Sequence, residues 1–360
     1  MRLAWLALFC TSLLPNCARG FANQSANDLL FYSILGAYLG GPHGTYAYAA
    51  NESSNLVAMY RIDGGTLIPL GSVSTSSPAA ISVNPSGTFA YVSNNSAAQI
   101  SVFAIDRGSG LLSLARTLTT GTNPQGSTVD STGSYYYVVN QGPATVSMFS
   151  ISGSNILGNG TVATGTGPVR VAVDPRNRFA YATNFTGNSI SMFTMNASTG
   201  VLTANGTQAG VTAASGICID SSGQFAFANA HGGNTVSSFT INQSTGVLAF
   251  INSAATGTNP LELAIHPTNR FLYSANNGSS SVSVTSVNTS TGSLSVASTA
   301  TAGSQPFGLR LDSSGSFLYV GNSGTTTVQM YSVNQSDGSL TSLGTVATGN
   351  GTRSIAIATF

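Results

Sequence analysis

Seven times along this chain a turn-type residue is followed two places on by an aromatic residue and two places further by another. The series runs Gly44/Tyr46/Tyr48, Gly87/Phe89/Tyr91, Gly133/Tyr135/Tyr137, Asn177/Phe179/Tyr181, Gly223/Phe225/Phe227, Asn269/Phe271/Tyr273 and Gly315/Phe317/Tyr319. Steps of 43, 46, 44, 46, 46 and 46 residues separate the turn residues. A period in this range marks a repeat architecture of the propeller or solenoid kind. The fold is therefore constrained by internal symmetry before any local propensity is considered.

The chemistry of each copy explains the pattern. Gly and Asn are the residues that best tolerate positive φ, so each turn position predicts a left-handed conformation opening a hairpin. Aromatics at spacing two then share one face of a strand. Each copy reads as four short strands. The first is Ala79 to Val83, with counterparts at 125–129, 169–173, 215–219, 261–265 and 307–311. The second carries the aromatic pair. The third alternates, as in Ile100-Ser101-Val102-Phe103-Ala104-Ile105. A hairpin signal such as Thr199-Gly200 or Asp337-Gly338 leads to the fourth.

The two ends of the series close it. Nothing before Gly44 resembles a first strand, whereas Arg353-Ser354-Ile355-Ala356-Ile357-Ala358 matches one and has no copy after it. The expected fold is an all-β, seven-bladed propeller of four-stranded blades over residues 44–360. Its last strand completes the blade begun by 44–70, so no terminal sheet face is left bare.

The segments Ser86-Gly87-Thr88-Phe89-Ala90-Tyr91-Val92-Ser93-Asn94 and Gly315-Ser316-Phe317-Leu318-Tyr319-Val320-Gly321-Asn322 resemble the repeat of the seven-bladed lactonase-type propellers. That group includes the propeller 6-phosphogluconolactonases and the Tyr-Val-Thr-Asn repeat proteins. The resemblance extends from Gly44 to Phe360. It implies the fold; a blade repeat carries no activity of its own.

Only 6% of the residues are charged, against roughly 25% in soluble proteins generally. There is no lysine, and the net charge is +1. No basic footprint for a nucleic acid exists, and that class of partner is excluded. Three scattered histidines without cysteine or carboxylate spacing give no metal signature, and no phosphate loop stands out, so no cofactor is expected.

Residues 1–22 read as an export signal: Met1-Arg2 is a short positive region and Leu3 to Leu14 an apolar core too short to span a bilayer. Leu14-Pro15-Asn16-Cys17 resembles a loose bacterial lipobox, which would make Cys17 the lipidated first residue; the alternative is ordinary cleavage after Ala22. The expected location is the bacterial cell envelope, or the exterior if the chain is secreted, with membrane contact only through that anchor. Residues 23–43, with an apolar run at 29–39, are either a linker or a plug. Cys218 reads as a packed free thiol.

Candidate site residues lie at the channel mouth. Six of the seven second strands end in asparagine, at Asn51, Asn94, Asn140, Asn184, Asn276 and Asn322, while the seventh has Ala230. These amides either ring a polar ligand or bond their own turns. Overlaying the copies isolates the exceptions. One first-strand position reads Ala80, Gly126, Arg170, Gly216, Glu262, Gly308 and Ser354, and two places on Arg310 interrupts a set of small residues. Glu262 and Arg310 belong to adjacent blades and are expected to pair, since a buried charge requires a partner. Arg170 and Arg353 have no evident mate and either hold an anion or pack on aromatics. His231 is a candidate base or a polar loop residue, and His266 a turn cap.

Propeller phosphogluconolactonases are similar in carrying Arg-His after the proline of one first strand and a His in the preceding blade. They also carry an Arg and a Glu in second-strand loops and an Arg in a later first strand. The matching positions here are Ser215-Gly216, Val169, Asn277, His231 and Phe307, none with the family residue. The sequence therefore favours an exported, lipid-anchored binding or interaction module for a small polar ligand or protein partner, without the family's catalytic set. The alternative is a lactone hydrolase with a rearranged site of His231, Arg170, Glu262 and Arg353.

Overall fold

The computed structural model describes residues 44–360. The segments 1–22 and 23–43, with Cys17 and His43, lie outside the described residues. Blade 1 consists of Thr45–Asn51, Leu56–Asp63 and Thr66–Ser74, with Thr352–Thr359 as its innermost strand. Blades 2 to 7 start at Pro78, Pro124, Pro168, Ala214, Pro260 and Pro306, and each is a four-stranded antiparallel sheet ordered from inner to outer strand. The closing strand pairs Ala356 with Tyr48 and Ala358 with Tyr46, as the sequence predicts. Each first strand packs on the first strands of both neighbouring blades, and Thr352–Thr359 contacts both Pro306–Leu311 and Pro78–Val83, which completes the ring. No helix among the described residues is long and apolar enough to cross a membrane.

The core lies between blades. Seven apolar clusters match the seven blade interfaces, each drawing residues from two consecutive blades. Second strands such as Phe179–Asn184 are buried on both faces because a neighbouring blade covers each side. Fourth strands such as Leu112–Thr119 are mostly exposed. A register shift interrupts every third-to-fourth pairing, between Val102 and Phe103 in blade 2 for example, and such bulges twist an outer edge away from further pairing.

The aromatic repeat holds these interfaces. The second aromatic of a copy reaches the hairpin of the next blade, where its phenol donates to a glycine carbonyl: Tyr48 to Gly110 at 2.9 Å, Tyr137 to Gly200 at 2.7 Å, Tyr181 to Gly246 at 2.8 Å and Tyr273 to Gly338 at 3.0 Å. Six of the turn residues that open the copies have positive φ, from 56° at Asn177 to 75° at Gly133. The caps at the ends of the first strands behave as expected: Asp130, Asp220 and Asp312 accept from the N–H groups of Tyr135, Phe225 and Phe317. His266 substitutes for them, with Nδ1 2.7 Å from the Thr268 hydroxyl and Nε2 3.1 Å from the Gly315 carbonyl of the next blade.

Candidate functional site

One face of the ring is built from the loops that enter each blade and the loops that follow each second strand. Every incoming loop contains a left-handed residue, from Ala213 at φ 49° to Gly351 at φ 74°. Its carbonyl accepts the N–H of the residue just past the second strand. Glu52, Asn95, Gln141, Phe185, His231, Asn277 and Ser323 are thus pinned by the same backbone bond, one per blade. The scaffold is sevenfold here, and the side chains it presents are not.

The six asparagines point elsewhere. All are buried at 0–1% exposure. Asn94 and Asn140 donate to Ser101 and Ser147 on the third strand, both at 2.8 Å. Asn184 and Asn276 each donate to two serines there, and Asn322 to Thr327. Asn51 donates to the Ala49 carbonyl and accepts from Thr352 on the closing strand. Five of the amides therefore brace second strand to third, in place of the turn bonds expected, and none lines the mouth cavity. The amide-ring reading is corrected accordingly.

The expected Glu262–Arg310 pair is also corrected. Glu262 Oε2 accepts from Arg170 Nε at 2.7 Å, although blade 5 stands between their blades. Between them blade 5 contributes Gly216, where a Cβ would come 2.5 Å from the Leu261 carbonyl oxygen. The sequence offered adjacent blades as the rule for pairing; the observed pair instead spans blade 5. A second bond runs from Arg170 Nη1 to the Val169 carbonyl at 2.9 Å. Arg353 is not mateless either. Its Nη1 donates to Glu52 Oε2 at 2.9 Å and its Nη2 to Gln125 Oε1 at 3.3 Å. Burial lowers the pKa of Arg353, Glu52 opposes that shift, and the nearby Arg170 adds to it. Both guanidiniums approach Phe307, at 4.5 Å for Arg353 and 5.6 Å for Arg170, so the aromatic-packing reading also holds.

Around these groups lies a mouth cavity of about 220 Å³, lined by Gln125, Gln141, Phe185, Leu261, Phe307 and the two arginines, with Val169, Ser215 and Gly216 between them. Four of the positions at which the family resemblance implies site residues, Val169, Ser215, Gly216 and Phe307, therefore meet at one cavity. His231 does not line it. Its ring stands edge-on to Phe185 at 5.0 Å, and burial lowers its pKa, which favours the neutral imidazole. Glu52, Gln125, Gln141 and Phe185 were missed as site residues from sequence, and Phe307 stood out there only as a position without the family residue. For Glu52 the signal was present, since an acid follows Asn51 where the other copies carry no carboxylate. Among the described residues no cluster of histidine, cysteine and carboxylate groups is arranged to hold a metal.

Fold and mouth together define a closed seven-bladed propeller with one small polar and aromatic cavity at the end of its channel. The chain belongs to the seven-bladed β-propeller lactonase family, whose model matches residues 40–157, 153–307 and 295–357. Solved structures agree in fold. A provisionally named 6-phosphogluconolactonase from Bacteroides fragilis is 21% identical, with 88% of this chain and 98% of that one covered at a TM-score of 0.79. The periplasmic gluconolactonase PpgL of Pseudomonas aeruginosa is 16% identical, with 88% and 99% covered at 0.77. A protein from Lactobacillus plantarum is likewise 16% identical, with 88% and 100% covered at 0.79. No curated protein sequence matches the chain.

Proposed function

We propose that this protein is an exported envelope module, anchored through Cys17, that binds a small, neutral, polyhydroxylated molecule at the mouth cavity. One observation carries the choice of ligand: both arginines at the mouth are already matched by carboxylates, Arg170 by Glu262 and Arg353 by Glu52. The site therefore offers little net charge to an anion. It offers instead the amides of Gln125 and Gln141 for hydroxyl groups, and Phe185 and Phe307 for the apolar face of a ring. At about 220 Å³ the cavity suits one sugar-sized unit better than a chain of them.

Hydrolysis of a sugar lactone is the second reading, supported by the family, by the names of its solved members and by the four resemblance positions around the cavity. Lactone opening needs an activated water and a stabilised oxyanion. Glu262 is bound to Arg170 and His231 lies beside the cavity, so neither is an unengaged base within it. Calorimetry and a pH-stat assay on a panel of aldonolactones and their parent sugars separate the readings. Saturable binding without turnover, weakened at least tenfold by Phe307→Ala, is expected. Turnover abolished by His231→Ala or Arg170→Ala would replace the binding module with the hydrolase. Mass spectrometry of the mature N-terminus tests the anchor, since an unmodified start at any residue other than Cys17 excludes it.

A further inference from the structure

Two residues that line the mouth cavity are bonded to each other across an intervening blade. Arg353, on the closing strand of blade 1, donates from Nη2 to Gln125 Oε1 at 3.3 Å, and Gln125 belongs to the first strand of blade 3. Blade 2 carries Ala79 at the same place in its own first strand. The guanidinium is held on other sides as well. Its Nη1 donates to Glu52 Oε2 at 2.9 Å, Glu52 Oε1 in turn accepts from Asn95 Nδ2 at 3.3 Å, and the centre of the Phe307 ring lies 4.5 Å from the guanidinium carbon. Both carboxylate oxygens of Glu52 are therefore engaged.

An arginine only donates hydrogen bonds, so the amide of Gln125 turns its carbonyl oxygen towards Arg353. The direction of its other end is thereby settled. Nε2 makes no hydrogen bond among the described residues and is not sealed from the cavity, although the residue that carries it is only 6% exposed. A confined N–H without an acceptor costs the desolvation of the group, so whatever occupies the cavity must supply that acceptor. A freely turning amide can offer a ligand either a donor or an acceptor. This one offers donors only.

We propose that Gln125 is a specificity-determining residue of the mouth cavity, seating one ligand oxygen as a hydrogen-bond acceptor, with Arg353 and Glu52 as the residues that position it. The inference rests on the reading of the cavity as a site for a neutral polyhydroxylated molecule, and adds which half of one contact the ligand supplies. D-glucose, D-galactose and D-mannose are the parent probes, titrated calorimetrically into the mature protein, and the tightest binder is followed through its monodeoxy and monodeoxyfluoro analogues. Fluorine accepts weakly and cannot donate, so the two analogues report the polarity of the contact. At one ring position the deoxy sugar should bind about tenfold more weakly than the parent, with the fluoro sugar between them. In Gln125→Leu that discrimination should fall to about twofold or less, since the donor is gone. In Gln125→Glu a carboxylate oxygen accepts where the amide donated, and the order of the two analogues should reverse. In Arg353→Met the amide turns freely and the deoxy-to-fluoro ratio should collapse, whereas loss of a merely structural prop would weaken all the sugars alike. Discrimination unchanged in Gln125→Leu, or an unreversed order in Gln125→Glu, overturns the assignment to Gln125. An unchanged ratio in Arg353→Met overturns the positioning role. Binding of none of the three parents by the unaltered protein is a different failure, because it removes the proposed function and this inference together.

Discussion

The seams between blades and the wall of the channel are built from the same seven copies, yet they follow opposite rules. At the seams a position is filled by an aromatic face in every copy, and in four of them its phenol is bonded to the next hairpin. On the wall, most copies carry glycine, alanine or serine, and a few carry a full charge. Repetition at the seams makes the ring; small residues on the wall make room inside it. A charged side chain can then reach past a neighbouring blade, as Arg170 does, and the wall becomes the place where copies differ in consequence.

Alkaline pH should break the seams and leave the wall chemistry untouched, with the largest effect of all. Burial raises the pKa of ten tyrosines, Tyr46, Tyr48, Tyr60, Tyr91, Tyr136, Tyr137, Tyr181, Tyr273, Tyr319 and Tyr331. No first strand contains a tyrosine. In the unfolded chain a phenol loses its proton near pH 10, while the folded ring holds it. Above that pH the native state binds more protons than the unfolded one, so stability falls as pH rises, by about 1.4 kcal/mol per pH unit for each fully shifted tyrosine. Urea midpoints should show little tyrosine-linked change from pH 7 to 9 and fall steeply from about pH 10. A midpoint unchanged at pH 11 would contradict the burial of these phenols.

The wall is tested by its ion pair. Glu262→Gln leaves the Arg170 guanidinium, only 13% exposed, with the Val169 carbonyl and the Phe307 ring. A loss of about 3 kcal/mol is expected in denaturant unfolding, because removing one partner of a buried pair strands the other. Replacing both, as Arg170→Met with Glu262→Leu, should recover most of that loss, since two apolar side chains need no counter-charge. Equal destabilisation by the single and double variants would mean that the wall depends on the volume of these side chains and not on their charge.

This contrast also explains what the sequence disclosed. The seams were legible because their chemistry recurs at a fixed period, and a period can be counted without coordinates. The closing strand Thr352–Thr359 was legible for the same reason. The wall was legible only as a set of exceptions: overlaying the copies singles out Arg170, Glu262, Arg310 and Arg353, but their partners depend on the distance across the channel. Adjacency of blades pointed Glu262 to Arg310, whereas its ion-pair partner is Arg170, two blades away. Gln125 drew no attention because nothing in its type departs from an ordinary strand, and Phe307 drew it only as a position without the family residue. The six asparagines misdirected in the other way, since a polar residue at every strand end looks like a rim until its burial is known.

The smallest effects divide the seams among themselves. Tyr91 and Tyr319 belong to the aromatic repeat, yet their buried hydroxyls lack a hydrogen-bond partner. Each precedes a blade whose hairpin is a tight two-residue turn, Gly153-Ser154 in blade 3 and Gly64-Gly65 in blade 1, in place of the longer turns that present a glycine carbonyl elsewhere. Burial accordingly pushes the Tyr91 phenol up to about 12. Tyr181→Phe removes a donor and strands the Gly246 carbonyl, which should cost about 1 kcal/mol. Tyr91→Phe and Tyr319→Phe remove hydroxyls that satisfy nothing, and should leave stability within about 0.5 kcal/mol or raise it slightly. Urea unfolding of the three variants side by side makes the comparison. If Tyr91→Phe costs as much as Tyr181→Phe, the seams are equivalent after all, and a buried water completes the bond that the short hairpins omit.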